Sequence, residues 1–218
     1  MNRPNAIAFA TLLSLCAIAG YAGEKPLSEQ KINAVIEQLV SPNRAPDDKH
    51  GPYPNYPVGF DDRAQERVRA AWKQLYDDWH HVLPYLFDRF DDMRYCFTDD
   101  TGSKDTNWSV GRACSDILIC HLQPYGGIAY RRDVGFRARP SYPEHYNLRS
   151  SAGAKIWWET RKDKPLRELQ IEALEWVVAE EAKSPEKYPG WDRLVLQREL
   201  AKLRAGAAPL APSVPWVQ

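Results

Sequence analysis

The strongest constraint on this chain lies between Arg63 and Leu122, where apolar residues recur at helical spacing. Val68, Ala71, Trp72, Leu75, Tyr76 and Trp79 follow i, i+3, i+4, i+7 order, which puts them on one face of a helix. Asp61 and Asp62 precede that run and suit an N-cap at the positive end of the helix. A second helix carries Val82, Leu83, Leu86, Phe87 and Phe90, with Pro84 near its start, where a missing N–H costs little. A third opens at Ser109 and buries Val110, Ala113, Cys114, Ile117, Leu118 and Leu122. Each helix is too short to be stable alone, so the three faces are expected to pack on one another.

The flanking sequence extends the pattern. Ser28 is placed to cap a helix whose stripe is Ile32, Val35, Ile36, Leu39 and Val40, and Ser41-Pro42 stops it. Residues 43–59 are rich in Pro, Tyr and Asp, so no regular element fits; an extended strap anchored by Tyr53 and Tyr56 is expected. Ser150 or Ser151 caps a helix with Ile156, Trp157 and Trp158 at its middle. Asp163 is expected to cap another, Lys164 to Lys183. Its apolar positions cover more than half the circumference, which predicts a central helix. The last helix runs from about Trp191 to Arg204 through Leu194, Val195, Leu196, Leu200 and Leu203, with Gly206 as its stop. No strand-like alternation stands out. The expected fold class is all-α, with antiparallel helix pairs and long irregular loops. Residues 23–206 form a single helical domain, and 207–218 form a loose Ala/Pro-rich tail.

The order of residues in the central stretch resembles HEAT and armadillo-type helical repeats. The resemblance rests on Val68-Arg69-x-Ala71 with Leu75, on Leu83-Pro84-x-Leu86 leading to Asp91-Asp92-x-Arg94, and on Val110, Ala113 and Ile117-Leu118. It covers about residues 63–122, one repeat and half of its predecessor. It implies that the first helix ends in an acidic turn to which an Arg just beyond bridges back. The repeats usually carry a charged residue where Gly111 stands, and their turn is shorter than the connection Cys96 to Trp108. As a whole the chain also resembles a group of uncharacterised exported bacterial proteins, a likeness that implies no activity.

The first residues argue for export. One positive side chain, Arg3, is followed by an apolar run from Ala6 to Ala19 and by small residues up to Ala22. That is the pattern of a secretory signal peptide, residues 1–22, cleaved after Ala22. The run is short for a bilayer span, and Leu15 stands before Cys16 where a lipoprotein signal needs a small residue. The mature chain is therefore expected to be periplasmic or extracellular, with no membrane span once the signal is removed. Loss of Arg3 leaves 28 basic side chains against 29 acidic, a balance that argues against nucleic acid as a partner. Cys96, Cys114 and Cys120 remain, an odd number for an oxidising compartment. Cys114 and Cys120 are separated by roughly 9 Å of helical rise, too far to pair with each other. Cys96 is able to reach either, and the plainer expectation is three buried thiols acting as small hydrophobes.

Candidate chemistry is sparse. Asp77 and His81 are four apart on a helix and could share a proton or a metal, but no chelating spacing such as H-E-x-x-H exists. His80 and His81 project about 100° apart and cannot chelate together. The doublets Asp61-Asp62, Asp91-Asp92 and Asp99-Asp100 could pair for glycoside chemistry or ligate calcium; helix caps and a solvated loop explain them more simply. Ser109, Ser115 and Ser151 lack a nucleophile-elbow context. Cys114 with His121 is a conceivable pair on an apolar face. No cofactor and no metal is expected.

The segment Gln123 to Tyr146 is too long for a simple connector. Its Tyr125, Tyr130, Tyr142 and Tyr146 interleave with Arg131, Arg132, Arg137 and Arg139, the composition of recognition surfaces. Tyr130, Arg131, Arg132 and Tyr142 are the candidate binding residues; the rival expectation is loops packed down over the helices. Two functions follow. One is an exported binding or scaffold protein without catalysis, its partner a protein or cell-envelope polymer. The other is a hydrolase of cell-wall or extracellular polymer that works through an Asp/His constellation, whose groups must converge in one concave pocket.

Overall fold

The computed structural model describes residues 27–47, 55–99, 106–123, 140–184 and 190–212. Of these, 63% are helical and the only sheet among them is two-stranded, so the molecule is mainly α.

Helix α1, Glu29–Glu37, starts where Ser28 accepts from the Lys31 N–H at 3.4 Å, and it buries Ile32, Val35 and Ile36. Helix α2, Asp62–Asp77, is capped by Asp61, which accepts from the Ala64 N–H at 3.0 Å. Its stripe of Val68, Ala71, Trp72, Leu75 and Tyr76 is buried as the spacing requires. A break at Asp78 separates it from α3, Trp79–Leu86. Pro84 falls inside α3 rather than at its start, and the helix tightens into a 3-10 turn, Phe87–Arg89, almost at once.

The all-α expectation needs correction at the next step. Strand β1, Tyr95–Asp99, pairs antiparallel with β2, Thr106–Ser109. The register slips between Tyr95 and Phe97, so Cys96, Phe97 and Thr98 are all buried. An irregularity of this kind erases the alternation by which a strand is read from sequence. Asp99, expected in a solvated loop, lies in this strand.

Helix α4, Val110–Leu122, follows directly, capped by Ser109, which accepts from the Arg112 N–H at 3.1 Å. Every residue of α4 except Arg112 is buried, so α4 is the centre of the molecule. It approaches the end of the 3-10 turn so closely that the Gly111 N–H donates to the Asp92 carbonyl at 2.8 Å. A Cβ at Gly111 would collide with the Phe90 carbonyl, which is why a charged residue has no room there. The Trp72 indole N–H donates to the Ala113 carbonyl at 2.9 Å and ties α2 to α4.

A short helix α5, Tyr142–His145, lies within the segment expected to be irregular. Helix α6, Ser151–Glu159, is capped by Ser150 and buries Trp157 and Trp158, while Ile156 faces outward. Helix α7 is Leu166–Lys183, with Pro165 at its N-cap and no side-chain cap bond; Asp163 does not cap it, because the chain turns through residues 160–164 first. Helix α7 covers α4 on one side, and helix α8, Gly190–Arg204, packs against α7. Leu196, Leu200 and Leu203 are buried, whereas Leu194 is exposed. Gly206 closes α8 at φ 92°. Beyond it, Leu210 is held on both sides of its peptide by Gln170, donating its N–H to Oε1 at 2.8 Å and accepting from Nε2 at 3.0 Å.

Candidate recognition surface

Among the described residues, those singled out for chemistry do not come together. His81 hydrogen-bonds the Leu27 carbonyl at 2.9 Å, and Asp77 pairs instead with Lys73 at 2.6 Å. His80 sets its ring edge-on to Trp79 and Trp158. Asp61 is spent on the α2 cap. Asp92 is gripped by Arg94 at 2.6 Å, and the bond from Arg94 holds its carboxyl below the usual range. Among the described residues, no group of three or more His, Cys, Asp or Glu is arranged to hold a metal, and no helix is long and apolar enough to cross a membrane.

His121 is buried, with Nδ1 at 2.7 Å from the Ile117 carbonyl. That acceptor makes Nδ1 the protonated nitrogen of a neutral ring. The ring lies against Tyr76 at 4.4 Å and stacks on Trp79 at 4.7 Å. Burial pushes its pKa down to about 4, against a smaller opposing effect of the Ile117 bond. Burial also pushes the Cys96 and Cys114 thiols up, so neither is a thiolate at neutral pH. Cys96 and Cys114 are unbridged, and Cys120 is buried with them.

Of the four candidate binding residues, Tyr130, Arg131 and Arg132 lie outside the described residues. Tyr142 is fully buried and so offers no exposed surface. Its hydroxyl accepts from the Trp157 indole at 2.9 Å and donates to Glu172 at 2.7 Å. Arg161 and Lys164 grip the same Glu172 at 2.6 and 2.8 Å. Burial opposes the Glu172 charge, but these bonds outweigh it and hold the carboxyl at about 2. Tyr142 is thus a pin between α5, α6 and α7.

The surface that remains is built on the first turns of α4. Asp116 is buried; it accepts from Arg149 at 2.7 Å and faces Arg112 at 3.8 Å. Arg112 stands four residues before it on the same helix face. Its guanidinium sits 4.3 Å over the ring of Trp108, which in turn stacks on Phe97 at 5.0 Å. Arg149 is held between buried Leu148 and the α6 cap Ser150. The preceding turn takes Asn147 through φ 51°, a region Asn tolerates. Both arginine side chains are partly exposed, at 39% and 52%. A helix-borne Asp with an Arg four residues earlier reads in sequence as an ordinary surface pair. Only the fold adds Arg149 and Trp108.

No known protein family model, curated protein or solved structure matches this chain.

Proposed function

We propose that the chain is an exported binding or scaffold protein without a catalytic role, with a protein or cell-envelope polymer as its partner. A helical-repeat-like pairing of α2, α3 and α4 carries the face that binds. The observation that carries this reading is the Arg112–Asp116–Arg149 cluster: two partly exposed arginines held in place by a buried carboxylate and an aromatic stack. Fixed cations with open donors favour recognition over chemistry.

The test has two parts. N-terminal sequencing of the protein recovered outside the cytoplasm is expected to begin near Gly23; a retained Met1 removes the export half of the proposal. Purified mature protein is then incubated with envelope fractions. Saturable retention, with no soluble polymer fragments released over hours, is the expected result. Release of fragments would instead favour a hydrolase.

A further inference from the structure

We propose that Arg112 and Arg149 form an oxyanion-binding site, taking a carboxylate or phosphate group of the ligand. This rests on the binding reading and names the chemistry of its contact. The argument begins with unused donors. A guanidinium carries five N–H groups in a fixed fork. Among the described residues Arg112 makes no side-chain hydrogen bond: its carboxylate partner Asp116 has its oxygen 3.8 Å away, and its guanidinium lies over the Trp108 ring. Arg149 spends one N–H, the 2.7 Å bond to Asp116. Both side chains keep substantial exposure, 39% for Arg112 and 52% for Arg149, so N–H groups remain to meet a ligand.

Both side chains are nonetheless fixed. Arg112 is pinned between the Trp108 face and Asp116. Arg149 is held at its guanidinium by the bond to Asp116, and its backbone is positioned by the neighbouring Leu148, whose N–H donates to the Pro143 carbonyl at 2.8 Å. Ordering cost is largely met before any ligand arrives, which is the condition under which charged hydrogen bonds give affinity. Asp116 presents separate oxygens to the two arginines, Oδ1 to Arg149 and Oδ2 to Arg112, so the two cations flank one carboxylate. A carboxylate matches one fork; a phosphate oxygen set is able to engage both.

The test follows the Arg Nε–H NMR resonances of the mature protein, at pH 7 and constant ionic strength. Inorganic phosphate and acetate are titrated in separate arms. Saturable shifts of the Arg112 and Arg149 signals are expected in at least one arm, and the arm that saturates at lower concentration identifies the group. Arg149→Ala is expected to weaken binding by about tenfold or more, the loss of a charge-assisted contact. Arg112→Lys keeps the charge but loses the fork, and is expected to weaken it severalfold. Shifts that stay linear in both arms, or affinity unchanged in both variants, overturn the site. This failure and that of the envelope reading are separable. Linear shifts with envelope retention intact remove only the oxyanion site. Saturable phosphate or acetate binding without retention removes only the envelope partner.

Discussion

His121 shows how one residue couples packing to pH. Its neutral ring is buried against Tyr76 and Trp79, with a pKa near 4 against 6.5 for an ordinary histidine. Above pH 6.5 neither the folded nor the unfolded chain protonates it. Between about 6.5 and 4 the unfolded chain binds a proton and the folded chain does not, so stability falls as pH falls. The loss is on the order of 3 kcal/mol by pH 4. Glu172 adds to it at lower pH, because its carboxyl is held at about 2 in the fold and must be protonated as pH drops below the ordinary 4.5. Urea midpoints are therefore expected to fall steeply from pH 7 to pH 4.5. His121→Gln, which keeps a donor for the Ile117 carbonyl, is expected to flatten that fall. An equally steep fall in the variant would place the titrating group elsewhere.

At the scale of elements, the junction between the 3-10 turn and α4 is tight enough to exclude any side chain at Gly111. The Gly111 N–H donates to Asp92, and the Val110 N–H donates to Arg94 at 2.8 Å. Because a methyl at Gly111 meets backbone rather than a yielding side chain, Gly111→Ala is expected to cost about 2 kcal/mol or more, although Ala is the better helix former. Thermal melts of the two proteins check this. A variant as stable as the parent would mean that the turn gives way easily. The same junction explains the hairpin: β1 and β2 bring the chain from Arg94 back to the start of α4, and Gln65 of α2 donates to the Cys96 carbonyl at 2.9 Å to secure it.

At the scale of the whole molecule, one buried cluster runs from Ile32 of α1 to Leu203 of α8. A continuous core predicts one cooperative transition, with tryptophan fluorescence and far-UV circular dichroism superimposing in denaturant. Leu174, fully buried on α7, belongs to that cluster. Leu174→Ala is expected to lower stability by about 2–5 kcal/mol without splitting the transition. Two separate transitions would show that α7 and α8 fold apart from the rest.

Local chemistry let the sequence by itself determine the helices and their buried faces. Val68, Leu75, Leu86, Ile117 and Leu174 sit where helical periodicity puts them, and Ser28, Asp61, Ser109 and Ser150 cap where a short polar side chain precedes an apolar run. Where backbone geometry competes with a cap, the reading fails, as at Asp163, which yields to the turn before Pro165. Only the tertiary structure decided what depends on distant partners. The hairpin needs β2 to pair with a bulged β1, Leu210 needs Gln170, and the centre of the fold is α4 rather than α7. Tyr142 offers surface chemistry in the sequence and is buried by Trp157 and Glu172 in the fold. The candidate site has the same origin. Arg149 and Asp116 are 33 residues apart, and no periodicity links residues whose meeting depends on how α4 packs beside the turn before α6.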